Sequence, residues 1–188
     1  MSLPAPAPGS VVVVTGASSG IGAELARSLA ALGHDLVLVA RREDRLQQLA
    51  EELRGEHGRD VLVHAADLTD QAAREGLIGF VACTGRTITG LCNDAGYGLA
   101  GLAWGRDLAQ GRDMIELNVV ALHDLTLLVV PDMIRAGTGA VLNVASVAAY
   151  QPLPGMAAYA ATKAFVHAFS EALHEELAGT GVSVTTLY

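Results

Sequence analysis

At 188 residues, with 51% of them apolar and a formal net charge of -8, the chain has room for one domain with a substantial core and too little for two. The acidic balance argues against nucleic acid and against an anionic membrane surface as partners, since both need a basic face. The two cysteines, Cys83 and Cys92, show neither CxxC spacing nor a disulfide-rich pattern, so the expected setting is core packing in a reducing cytoplasm.

Residues 1–9 are rich in proline and alanine and lack the basic and apolar segments of a signal peptide, so a flexible leader is expected there and a single domain over 10–188. The run Val11-Val12-Val13-Val14 reads as a buried strand over 11–15, continuous because a parallel strand is covered on both faces. Thr15-Gly16-Ala17-Ser18-Ser19-Gly20-Ile21-Gly22 follows and opens into a helix over 20–32. A glycine turn at that place lets the backbone approach a phosphate closely, and the helix start adds free amides and the positive end of a dipole. Simple turn chemistry is the alternative, and the GxxxGxG spacing departs from the GxGxxG dinucleotide fingerprint.

A second strand over 35–40 ends at Ala40 and is followed by Arg41-Arg42 and a helix over 43–57. Strands over 61–65 and 88–92 are separated by a helix over 69–80, with Asp67-Leu68 after the first and Asn93-Asp94-Ala95-Gly96 after the second. A long helix over 106–136 carries Asn118, and its apolar run is cut by His123 and Asp124, so no bilayer span is expected. A strand over 140–145 leads to Ser146, a helix over 155–179 carries Tyr159 and Lys163, and a strand over 182–187 ends the pattern. The repeated βα rhythm predicts a doubly wound parallel sheet, the Rossmann fold, with ligands at the carboxyl ends of its strands. The histidines at 34, 57, 64, 123, 167 and 174 show no HExxH spacing, and no metal site is expected.

Lys163 is the only lysine among twelve cationic residues, the others being arginine. Four residues after Tyr159 it shares a helical face with the phenol, where a compact ammonium favours the tyrosinate and makes tyrosine usable as an acid or base. A stray surface lysine is the bland alternative.

With TGxxxGxG at Thr15 to Gly22, Asp67-Leu68, the NNAG-like Asn93 to Gly96, Asn118, Ser146, and YxxxK at Tyr159 and Lys163, the chain resembles the classical short-chain dehydrogenase/reductase family. The resemblance implies a sheet of order 3-2-1-4-5-6 and a nicotinamide dinucleotide held by Gly16, Ser18, Ser19, Gly20, Ile21, Gly22, Asp67, Leu68, Asn93, Ala95, Gly96, Tyr159 and Lys163. It also implies a catalytic tetrad: Tyr159 as acid or base, Lys163 lowering its pKa, Ser146 orienting the substrate oxygen, and Asn118 anchoring a relay water. Ala40 stands where an NAD site would place an acidic side chain, and Arg41 and Arg42 beside it suit a 2'-phosphate, so NADP is the expected cofactor, with Arg41 the preferred contact by family position. The expected activity is hydride transfer between NADP and an apolar carbonyl compound or secondary alcohol, bordered by the loop 147–158 with Tyr150, Leu153 and Met156, and by Tyr97 and Leu99. The alternative is a non-catalytic NADP(H)-binding redox sensor or scaffold. A homodimer or homotetramer through the helices 106–136 and 155–179 is also implied. Two departures stand out: Asp94 replaces the second asparagine of NNAG, and the chain stops at Tyr188 in its sixth strand. The family continues there with a Pro-Gly turn, a substrate lid and a seventh strand, so a further C-terminal part is expected.

Overall fold

A computed structural model describes residues 3–188. Six strands, β1 (Ser10–Thr15), β2 (Asp35–Ala40), β3 (Val61–Ala65), β4 (Thr87–Asn93), β5 (Gly139–Val144) and β6 (Val182–Leu187), form one parallel sheet in the order 3-2-1-4-5-6. The chain starts at the centre, winds outward to β3, and returns to the other side of β1 at β4. That reversal opens a crevice beyond the carboxyl ends of β1 and β4.

Among the described residues six helices flank the sheet, α1 (Gly20–Ala31), α2 (Glu43–His57), α3 (Gln71–Cys83), α4 (Leu108–Ile115), α5 (Leu122–Ala136) and α6 (Ala157–Glu176), with α4 packed on α6. The valines of β1 divide by the period-two alternation of a strand. Val12 and Val14 pack with Ala26, Leu29, Leu46 and Leu53 of α1 and α2, while Val11 and Val13 join Leu77, Val81, Leu125, Met133 and Leu173 of α3, α5 and α6. In β4 the register against β1 shifts between Val11 and Val12, skipping Thr89, and at Gly90 an added Cβ would stand 2.9 Å from Val12 Cγ1.

The helix expected over 69–80 lies at 71–83, because the Asp70 carboxylate accepts from Ala72 N and fixes the start. The helix expected over 106–136 is two helices joined by a π-helical turn, Glu116–Ala121, whose extra residue per turn leaves no mark on an apolar pattern. Contrary to the expectation drawn from His123 and Asp124, the run Leu108–Ala136 is long and apolar enough by composition to cross a membrane. Its apolar side is nonetheless spent on the core, where Met114, Ala121, Leu125, Val129 and Met133 are buried. The expected leader is tacked down in part, with Leu3 packed on the α1 and α2 side of the core; residues 1 and 2 lie outside the described residues.

Candidate active site

The glycine loop is pressed against the turn after β4. Thr15 Oγ1 accepts from the backbone amides of Asp94 and Ala95, both at 3.1 Å, and joins the ends of β1 and β4. Gly16 has φ +71°, and a Cβ there would lie 2.9 Å from Ala95 N. At Gly22 a Cβ would stand 2.7 Å from both Asp94 Oδ2 and Gly16 O. Only hydrogen fits at these two positions, which is the close packing a phosphate cradle requires. Ser19 precedes α1 in extended conformation and its hydroxyl makes no cap, so no serine cap competes with an anion for the amides at the start of the helix.

A cavity of about 490 Å³ runs along this loop, lined by Gly16, Ser18, Ser19, Gly20, Ile21, Arg41, Arg42, Asp67, Leu68, Ala95 and Gly96 among others. Eleven of the residues expected at the cofactor therefore converge on one cleft. The two arginines differ. Arg42 donates from Nη2 to Ser18 Oγ at 2.8 Å and Ser19 Oγ at 2.7 Å, which fixes its guanidinium over the glycine loop. Arg41, preferred in the sequence reading, is mostly exposed and stands 3.9 Å from Asp67 at the rim. A larger open groove of about 910 Å³ between α1 and α2 shares the loop but reaches none of Ser146, Tyr159 and Lys163.

Asn93 is elsewhere. It is 4% exposed and donates to Thr126 Oγ1 at 3.0 Å and Asn143 Oδ1 at 2.9 Å, while Asn143 donates to Ser170 Oγ at 2.9 Å. Pairing opposite Asn143 in the sheet turns its side chain into the core and away from the cleft.

A second cavity of about 520 Å³ shares Ile21, Asp94, Gly96 and Tyr97 with the first and continues to Val144, Ser146, Tyr159, Lys163, Leu187 and Tyr188. Lys163 is buried, donates from Nζ to Val144 O at 2.7 Å, and lies 5.9 Å from the centre of the Tyr159 ring. Burial lowers its pKa and the nearby Asp94 carboxylate opposes the fall. Ser146 caps the short 3-10 turn 147–150 by accepting from Ala148 N at 3.2 Å, and its side chain lines the same cavity. Asn118 lies in the π-helical turn. Its Nδ2 donates to Tyr97 O at 2.9 Å and Thr162 Oγ1 at 3.1 Å, and its Oδ1 accepts from Tyr97 N at 3.1 Å. Both donors are used, and one lone pair on Oδ1 remains.

The loop after Ser146 contributes less than expected. Tyr150 points outward and packs with His167 and Tyr188, each at 5.0 Å between ring centres, and Leu153 faces a separate apolar groove against α6. A Cβ added at Gly98 would stand 3.0 Å from Met156 Cε and 3.2 Å from the Tyr159 ring, so Met156 lies close to Tyr159. Leu99 lines a small cavity under the 99–115 segment, whereas Tyr97 lines both main cavities. Sequence reasoning undervalued Asp94. It lines both cavities, and burial pushes its pKa up to about 6 against the Gly22 amide and Lys163, which pull it down. Its signal was its position between the glycine motif and Lys163, readable only once β1 and β4 are adjacent.

The model of the short chain dehydrogenase family matches residues 10–188. Sulfoacetaldehyde reductase 2 of Chromohalobacter salexigens is 42% identical over 93% of this chain and 69% of its own length. The NADP-dependent 3-hydroxy acid dehydrogenase YdfG of Salmonella typhimurium is 37% identical over 94% of the chain and 70% of its length. A short-chain dehydrogenase from Sphingobium yanoikuyae, solved in complex with NADPH, superposes with a TM-score of 0.89 at 41% identity, covering 94% of this chain and 69% of that one. With the family model matched over residues 10–188 and more than two thirds of each of these relatives covered, the chain belongs to the short-chain dehydrogenase/reductase family of oxidoreductases.

Proposed function

We propose that the protein is an NADP-dependent oxidoreductase acting on a carbonyl compound or secondary alcohol. The observation that carries this reading is the continuity of the two cavities: a nucleotide laid along the glycine loop reaches Ser146, Tyr159 and Lys163 without leaving the protein surface. The NADPH complex of the Sphingobium relative and the name of the Salmonella one support the choice of dinucleotide. Arg42, held by two serine hydroxyls beside the ribose end of the cleft, supports it from this chain's own residues, since a guanidinium pairs with a 2'-phosphate.

When bound, the cofactor gives or takes the hydride. The chain manages the proton. In reduction the Tyr159 hydroxyl donates it to the carbonyl oxygen, and in oxidation the tyrosinate takes it back. The Lys163 ammonium, anchored on Val144 O, stabilises that tyrosinate. Ser146 donates to the substrate oxygen and orients it. Asn118 braces the floor through Tyr97 and Thr162, and the free lone pair of Oδ1 holds a relay water between Lys163 and solvent. Ile21, Val144, Ala145 and Leu187 around the second cavity favour an apolar substituent on the substrate. The exposed Leu127, Leu128, Ile134 and Phe165 on α5 and α6 support a homo-oligomer through these helices.

The test is Tyr159→Phe with a panel of ketones, aldehydes, short anionic aldehydes and secondary alcohols, followed by NADPH absorbance. The variant should bind NADPH as the wild type does and lose roughly a hundredfold to ten-thousandfold in turnover. Undiminished turnover would remove Tyr159 as the acid. Tight NADPH binding by the wild type with no turnover on any compound would instead favour a redox sensor.

A further inference from the structure

The adenosine end of the cleft and the turn carrying Asn118 lie on different elements, and one buried side chain touches both. Arg74, in the first turns of α3, is 3% exposed. Its Nη1 donates to Leu68 O at 2.8 Å, Thr69 O at 3.2 Å and Glu116 Oε1 at 3.1 Å, and its Nη2 pairs with Asp124 Oδ2 at 3.0 Å. Glu116 opens the π-helical turn, Asp124 follows shortly after it, and Asn118 lies between them. Leu68 lines the nucleotide cleft beside Asp67. One planar fork therefore spans the widened turn and the loop under the nucleotide together. A lysine ammonium has neither the number of donors nor their fixed spread.

Stability alone is a weak reason for this arrangement, because the cost of desolvating a buried ion pair offsets much of its attraction. Arg74 lines neither main cavity, so it touches neither cofactor nor substrate. What its contacts share is geometry: a shift of the Leu68 and Thr69 carbonyls would be passed through the guanidinium to Glu116 and Asp124. Asn118 lies between these two, and its bonds to Tyr97 and Thr162 end beside Lys163.

We propose that Arg74 is a positioning residue that couples occupancy of the adenosine end of the cleft to the setting of the turn that carries Asn118. This rests on the nucleotide-binding reading of the cleft. The experiment measures hydrogen exchange of the amides of residues 115–124 with and without adenosine 2',5'-bisphosphate, a fragment that fills only that end, at saturation established by calorimetry. In the wild type the fragment should slow exchange across the turn. Arg74→Lys, with its fold checked by circular dichroism, should bind the fragment and lose the slowing. Glu116→Ala, which removes the acceptor at a more exposed partner, should lose it as well and guards against a misfolded lysine variant. In turnover, Arg74→Lys should lower kcat roughly tenfold, and adding it to Asn118→Ala should lower kcat no further than Asn118→Ala alone. Fragment binding without slowing in the wild type, or undiminished slowing in both variants, overturns the coupling and leaves the nucleotide reading standing. Failure of the fragment to bind the wild type overturns both.

Discussion

Asp94→Asn turns the chain's departure from the NNAG motif into a measurable quantity. The carboxylate lies between the glycine loop and Lys163, where burial outweighs the Gly22 amide and the lysine charge and raises its pKa to about 6 from an ordinary 3.8. At 1.36 kcal/mol per pH unit that difference sets an upper bound of about 3 kcal/mol, which the partial solvent exposure of the carboxyl reduces. The carboxyl binds protons more tightly in the folded chain than in the unfolded one. Below pH 3.8 it is neutral in both states and costs nothing. Between 3.8 and about 6 the unfolded state ionises first and stability falls, and above about 6 the whole cost is present. The amide of asparagine keeps an acceptor for the Gly22 N–H and carries no charge to desolvate. Urea unfolding should therefore find Asp94→Asn more stable than the wild type by up to about 3 kcal/mol at pH 8, with the difference closing near pH 4. A difference that stays constant with pH, or a variant less stable at pH 8, would refute the placement of a strained carboxylate beside Lys163.

Three further substitutions separate the parts of the site. Arg42→Ala should weaken NADPH by roughly tenfold to a hundredfold, since a hydrogen bond to a charged partner is worth about 1.5–3 kcal/mol, and should leave NADH nearly unchanged. Titration by fluorescence decides it, and equal weakening of both cofactors would count against a 2'-phosphate at Arg42. Gly16→Ala places a methyl group 2.9 Å from Ala95 N at φ +71°, a backbone cost of about 1–2 kcal/mol before the contact is counted. Its melting temperature should fall and NADPH should no longer raise it; a normal NADPH-induced shift would contradict the close approach. Asn93→Ala strands Asn143 Oδ1 and Thr126 in the core, so chemical unfolding should show a loss of about 1–3 kcal/mol with the NADPH Kd unchanged. Weaker NADPH binding at unchanged stability would return Asn93 to the nucleotide.

The strands were legible because a parallel strand covered on both faces runs as continuous aliphatics, as Val11 to Val14 of β1 and Leu36 to Ala40 of β2 do. The glycine loop was legible because its conformations exclude side chains at Gly16 and Gly22. Asn118 was reached through the family resemblance, but the π-helical turn around it was not legible, since one extra residue in a turn barely alters an apolar period. The direction of Asn93 was hidden for a similar reason. In a strand buried on both faces, nothing in composition distinguishes the side facing the core from the side facing the ligand. The preference between Arg41 and Arg42 turned on hydroxyls 23 and 24 residues away in sequence, which only the folded loop brings near.

The buried chain of Asn93, Asn143 and Ser170 has a consequence for how this protein can change. Ser170 follows Lys163 by seven residues on α6, two turns or about 10.5 Å along the axis. The amide of Asn143, bonded to Ser170, therefore ties α6 to β5 two turns beyond Lys163. Held from below, the helix does not depend on the loops at its mouth for its position. On the proposed activity, those loops can be exchanged to admit a new substrate while Tyr159 and Lys163 keep their place, which makes the 97–107 and 147–156 segments the natural targets for directed evolution of specificity.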